Sequence, residues 1–277
     1  MLTLTISAIV GLSLGLGLYI SDAAHGGWCI FWGLLGFGAS QAAAGLILRG
    51  RIKRLMDEVQ GTLMAGQKRL QMKVNQWQMR PPGSLKQAQI ELEREQRGFM
   101  QQALALTEGF NAYYRWSPLL RRQVNTLKMQ LHYQMKDYAE ADRLMPKCLF
   151  LDPLTAAMRI ARMHVNKEEG LDKFFEKQVA RLRYGQGALL YSLYAWIALQ
   201  RNDIDLAHKT LARATSKMEN EVIKRNLEHL ANNRPRQFSN AGLGDEWYAL
   251  GLEEPRIRTQ RARGPGSRPC CHARPPE

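Results

Sequence analysis

Residues 2–20 read LTLTISAIVGLSLGLGLYI and residues 28–48 read WCIFWGLLGFGASQAAAGLIL, and neither stretch contains a charged residue. A helix crossing the hydrocarbon core of a bilayer needs about 20 mainly apolar residues. In lipid the backbone must satisfy its own hydrogen bonds, so each stretch is expected to be a helix. The loop between them, residues 21–27, is too short for a domain, and the two spans therefore form a tight hairpin. A cleaved signal peptide is the rival reading of the first run. It requires a basic n-region and a small-residue cleavage site. No Lys or Arg precedes the run, and Ser21-Asp22-Ala23-Ala24 is a poor site.

Orientation follows from the basic flanks. Arg49, Arg51, Lys53 and Arg54 follow the second span, while the loop holds only Asp22 and His25. The positive-inside rule places residue 49 onward in the cytoplasm with the N-terminus on the same side. The expected location is a cell inner (plasma) membrane, multi-pass, with both termini cytoplasmic. Gly11 and Gly15 form a GxxxG pair, and Gly33, Gly36, Gly38, Ala42 and Gly45 line the second span. Small residues let helices approach closely in lipid, within the hairpin or between two copies. Gln41 is expected to hydrogen-bond inside the hairpin, since one polar residue makes no transport path.

The net charge of +14 is unevenly placed. Residues 49–80 contribute +6 and the tail 255–277 contributes +5, whereas the long segment 81–254 contributes only +4. A nucleic-acid-binding domain concentrates basic residues on a folded face, so no nucleic-acid partner is expected. The juxtamembrane excess fits an anionic inner leaflet. The four cysteines, Cys29, Cys148, Cys270 and Cys271, form no disulfide framework.

Downstream of the spans, Ile52, Leu55, Val59, Leu63, Leu70, Val74 and Trp77 fall on one helical stripe. Residues 49–79 are thus a helix, either continuing the second span or lying on the membrane surface. Pro81-Pro82-Gly83 ends it, and Ser84 is placed as the N-cap of a second long helix reaching about Thr107. These two helices, residues 49–117, read as an antiparallel pair whose heptads are too irregular to specify a coiled coil. From Pro118 the pattern changes to short helices at regular spacing, and that region extends to residue 254.

Residues 133–153, YQMKDYAEADRLMPKCLFLDP, and 188–215, ALLYSLYAWIALQRNDIDLAHKTLARAT, carry small and large residues at recurring positions. Tyr138, Ala141, Cys148 and Asp152-Pro153 in the first, and Tyr191, Tyr194, Ala195, Ala207, Leu211 and Ala214 in the second, resemble the tetratricopeptide repeat. That repeat is a helix–turn–helix of roughly 34 residues. Ala141 and Ala207, the small contact residues, are 66 positions apart, which leaves room for one unit between them at 155–187. In that unit Phe174 or Phe175 stands where a small residue is expected. A helix at 219–230 is expected to cap the stack. Beyond it, Phe238, Trp247, Tyr248, Leu250 and Leu252 read either as a plug for the open end or as a docking peptide. The order of parts is loosely similar to the HemY family of bacterial inner-membrane proteins, in architecture only.

The expected fold is therefore all-α: residues 1–48 a transmembrane hairpin, then long helices, then a short α-solenoid. The tail 256–277, RIRTQRARGPGSRPCCHARPPE, is too poor in apolar residues to fold. No Walker loop, GxGxxG, HExxH or CxxC occurs, and the histidines at 25, 132, 164, 208, 229 and 272 have no metal-ligand spacing. No enzyme activity, cofactor, metal or small-molecule substrate is indicated. The chain reads as a membrane-anchored scaffold or adaptor for a protein partner, or alternatively as an assembly or stability subunit of a larger membrane complex. An enzyme with an unrecognised site ranks below both. Stacked helix pairs present the first helix of each pair on one face. Asn125, Lys128, Arg159, Arg162 and Tyr191 are the side chains expected to meet a partner there.

Overall fold

The computed structural model describes residues 2–21, 26–80, 83–116 and 118–254. Every regular element among them is a helix. The expectations for the tail 255–277, for Cys270 and Cys271, and for Asp22 and His25 fall outside the described residues.

The first two helices are α1 (Leu2–Ile20) and α2 (Gly26–Met79). The second apolar run and the basic stretch after it are one helix of 54 residues, about 80 Å long at 1.5 Å per residue. No proline interrupts the chain between Gly26 and Met79, and a proline is what most reliably breaks a helix. Helix α1 runs antiparallel along the first part of α2. Their backbones nearly touch: a Cβ on Gly11 would lie 2.8 Å from the carbonyl oxygen of Gly33. Ser7 Oγ donates to Gln41 Oε1 at 2.7 Å, so the polar group of Gln41 is engaged within the pair. Among the described residues, α2 is the one helix long and apolar enough to cross a membrane, and α1 is a shorter apolar helix. None of the apolar window of α2 is buried inside the protein. Leu34, Leu46 and Ile47 are instead exposed.

The third helix, α3 (Leu85–Leu106), starts at Ser84, whose side chain accepts from the Gln87 backbone N–H. It returns along the charged part of α2. Lys73 Nζ binds both Glu91 and Glu95 at 2.6 Å. Farther back, Phe99 packs on Gly66 and Leu55 approaches Gly109. A 3-10 turn, Thr107–Tyr113, completes the return. Val59, Ala103 and Phe110 are fully buried there, in a core shared with Leu120, Val124 and Leu131 of the next helix.

Seven helices follow: α4 (Pro118–Gln134), α5 (Tyr138–Leu144), α6 (Pro153–Val165), α7 (Leu171–Val179), α8 (Ala188–Gln200), α9 (Ile204–Thr215) and α10 (Glu221–Ala231). The pairs α4/α5, α6/α7 and α8/α9 pack in sequence, and α10 packs on α9. One local closure recurs after α4, α6, α8 and α10. Lys136, Lys167, Asn202 and Asn233 take positive φ (62°, 53°, 62° and 56°). In each case the next residue's N–H reaches back five residues: Asp137 to His132, Glu168 to Met163, Asp203 to Ala198, Arg234 to His229. This is the Schellman closure, and its recurrence makes α10 the equivalent of a first helix. Ala141, Ala207, Leu211 and Ala214 are fully buried at the helix contacts.

Two details of the repeats differ from the sequence reading. The second helix of the first pair stops at Leu144, because Pro146 sits in the 3-10 turn Met145–Lys147. Cys148 then lies beyond the helix in extended backbone and not at a helical contact. In the middle pair, Phe175 takes an inner position 1% exposed and stacks on Tyr194 with ring centroids 3.9 Å apart.

Candidate functional site

The face made by α4, α6 and α8 is covered in large part by the chain's own residues 238–254. The strap is anchored first on α10. Asn226 donates to the Ser239 carbonyl and to Asn240 Oδ1 and accepts from the Ser239 N–H. Asn240 then donates to the Ser192 carbonyl of α8 at 3.0 Å. Both asparagines are fully buried, and a buried amide with its hydrogen bonds satisfied fixes a segment in one place. A short helix, α11 (Asp245–Tyr248), brings Trp247 into the core at 0% exposure. There it meets Trp196 edge-on at 5.9 Å. At the far end Tyr133 Oη donates to the Leu250 carbonyl at 2.7 Å. Gly251 follows with φ +66°, and a Cβ there would lie 2.4 Å from the Tyr138 hydroxyl. The aromatic segment is thus packed along first-helix residues, which is more extensive than an end plug.

The five residues expected to meet a partner do not form one exposed set. Tyr191 is a correction: it is 1% exposed, set edge-on to Phe175 at 5.8 Å, and cannot touch a partner. Its position in α8 faces inward because both sides of that helix are covered, by α6 and α9 and by the strap. Arg159 and Arg162 are also not spare. Arg159 forms a two-pronged pair with Glu168. Arg162 clasps Asp142 through Nε and Nη2 at 3.0 and 2.7 Å, shares that carboxylate with Asn166, and lies 4.7 Å over the Tyr138 ring. Burial pushes the Asp142 carboxyl up, but the hydrogen bonds from Arg162 and Asn166 and the nearby guanidinium charges outweigh it, leaving it below the ordinary range. Asn125 and Lys128 sit half-buried on α4 with no polar side-chain partner among the described residues.

What the strap leaves open is a cleft of about 660 Å³ between the ends of α6 and α8. Its lining includes His164, Lys167, Glu168, Trp196, Arg201 and Leu252. Burial, aided by the Arg201 charge, pulls the His164 imidazole below its ordinary value. The ring meets Trp196 edge-on at 5.7 Å. Glu168 is held by Arg159 and Arg201 is paired with Asp172 at 3.2 Å. Lys167 is exposed. An apolar indole floor with cationic groups at the rim suits an acidic or carboxylate-bearing peptide segment. Sequence reasoning missed this cleft, since its parts lie on α6, α8 and the strap. The recurring left-handed residue after each first helix is the signal that would have pointed to Lys167. Among the described residues, no group of three or more His, Cys, Asp or Glu could hold a metal ion. Comparison with protein-family models, with characterised proteins and with solved structures finds no match for this chain.

Proposed function

We propose that this chain is a membrane-anchored scaffold. In this reading α1 and the first part of α2 cross the inner membrane as a hairpin with both termini in the cytoplasm. The helix pairs after Pro118, which resemble tetratricopeptide repeats, hold a protein partner beside the bilayer. The observation that supports it is the unbroken α2: a wholly exposed apolar stretch passes into a charged helix with no joint. Its exposed apolar side chains need a covering that the described residues do not supply, and lipid supplies it. Partner contact is assigned to the cleft beside Lys167 and Arg201 and to the Asn125–Lys128 surface of α4. An alkaline phosphatase fused after residue 80 should be inactive; strong activity would overturn the orientation. For the partner surface, Lys167→Glu with Arg201→Glu should abolish capture of whatever co-purifies with the full chain in mild detergent. Retention of every partner would exclude the cleft.

A second reading is an assembly or stability subunit of a larger membrane complex. A groove of about 720 Å³ between α1 and α2, lined by Ala8, Gly11, Gly15, Gly33 and flanking Leu and Phe residues, favours it. Small residues in such a groove admit another helix closely. Leu12→Trp, which fills the groove, should release a partner held in the membrane and leave one held at the cleft.

A further inference from the structure

The return of α3 along α2 has a chemical result at its end. Contacts between the two elements descend in order: Lys73 with Glu91, Gly66 with Phe99, Leu55 with Gly109, and then Arg51 with Tyr113 across a shared cleft. The segment Tyr113-Tyr114-Arg115-Trp116 is therefore delivered back to the level where the apolar part of α2 ends. The cleft there holds about 340 Å³ and has two chemically distinct halves. Ile6, Ala44, Ile47 and Leu48 line one half, and Arg51, Tyr113 and Trp116 line the other. The two serines at the boundary have committed their protons. Ser7 donates to Gln41 and Ser40 donates to the Phe37 carbonyl. The charged donor left for a ligand is the Arg51 guanidinium.

Arg51 is exposed and has no carboxylate partner among the described residues, unlike Arg159 and Arg162 of the repeats. Arg49, Lys53 and Arg54 surround it in sequence, and Arg115 is exposed on the returning segment. Tyr and Trp side chains favour the headgroup level of a bilayer. A guanidinium matches a phosphate with two parallel donors. We propose that this cleft binds an acidic phospholipid, with the headgroup phosphate on Arg51 between Tyr113 and Trp116 and an acyl chain along Ile6, Ile47 and Leu48. The inference rests on the reading of α2 as a membrane-crossing helix. It adds that the repeat domain is pinned to the bilayer at its start as well as tethered through the stalk.

The test uses the full chain in nanodiscs of phosphatidylcholine that contain either phosphatidylglycerol or phosphatidylcholine with a doxyl-labelled chain. Quenching of Trp116 is read as the difference between the parent and Trp116→Phe. The phosphatidylglycerol label should quench more strongly. Arg51→Gln, an exposed change that leaves the packing alone, should reduce that preference about five-fold, the equivalent of ~1 kcal/mol per basic residue at an anionic surface. Equal quenching by the two lipids overturns the site. So does a preference that survives Arg51→Gln but is lost in the combined Arg49→Gln, Lys53→Gln and Arg54→Gln variant, which would mark diffuse surface charge. Retention of the chain in membranes after an alkaline carbonate wash reports on the anchor separately. Release by that wash overturns both readings, whereas retention with equal quenching overturns the lipid site alone.

Discussion

Trp196 and Trp247 share one carboxylate: each indole Nε1 donates to a different oxygen of Glu253 at 2.8 Å. This clasp closes the end of the strap over α8. Because Trp247 is fully buried, Trp247→Ala should cost about 3–5 kcal/mol. Glu253→Ala should cost ~1–2 kcal/mol, as a charge-assisted pair of hydrogen bonds at a partly wet site. Truncation after residue 254 should leave the melting temperature nearly unchanged, while truncation after residue 234 should lower it strongly. Thermal unfolding of the full chain in detergent measures all four.

The clamp on Asp142 sets the next expectation. Arg162→Glu faces a carboxylate with a carboxylate and removes both prongs of the pair, so stability should drop by about 2–4 kcal/mol. The further change Asp142→Arg should restore part of the loss. Denaturant midpoints of the single and double variants check this. A loss of partner binding in Arg162→Glu alone would therefore report on folding and not on a contact.

Much of the fold could be read locally. The apolar runs, the stop at Pro81-Pro82, the Ser84 cap and the helix pairs from Pro118 all follow from spacing and end signals within a few turns. The site could not be read that way. Tyr133 and Leu250, which meet in one hydrogen bond, are 117 positions apart. Tyr191 sits on a helix whose two sides carry equally apolar residues, so periodicity gives no hint of which side faces out. Arg159 and Arg162 looked unoccupied because their acids, Glu168 and Asp142, lie on neighbouring segments whose approach only the fold determines.

Left-handed backbone at a residue with a Cβ is strained by roughly 1–2 kcal/mol. Lys136, at φ 62° after α4, carries that strain without a compensating side-chain bond among the described residues. Lys136→Gly should therefore raise stability by about 1 kcal/mol, less the entropy lost by glycine on folding. A higher denaturant midpoint with an unchanged slope is the expected result.

The His164 imidazole titrates below its ordinary value, pulled down by burial and then by Arg201, in a cleft it shares with Lys167, Glu168 and Trp196. The unfolded chain accordingly takes up the proton first. The contribution is complete above about pH 6.5 and is lost as pH falls through the lower folded value. Unfolding free energy followed from pH 7.5 to 5 should decline in the parent and decline less in His164→Gln.

Gly66 and Gly98 separate packing from propensity on the α2/α3 pair. A Cβ at Gly66 would lie 2.6 Å from the Phe99 ring, while one at Gly98 meets nothing within 4 Å. Gly98→Ala should stabilise by about 0.8–1 kcal/mol. Gly66→Val should destabilise by ~1–3 kcal/mol through overpacking. Opposite shifts in melting temperature are the signature.

The unbroken α2 also fixes an angle. With no hinge between Gly26 and Met79, the azimuth of the apolar end dictates the azimuth of everything carried by the distal end. Each residue added to the helix turns one end against the other by about 100°. One alanine inserted after Leu48 would swing the repeat domain to a different compass bearing, and four would bring it most of the way back. The chain thus holds its cargo-bearing face at a set heading as well as a set height.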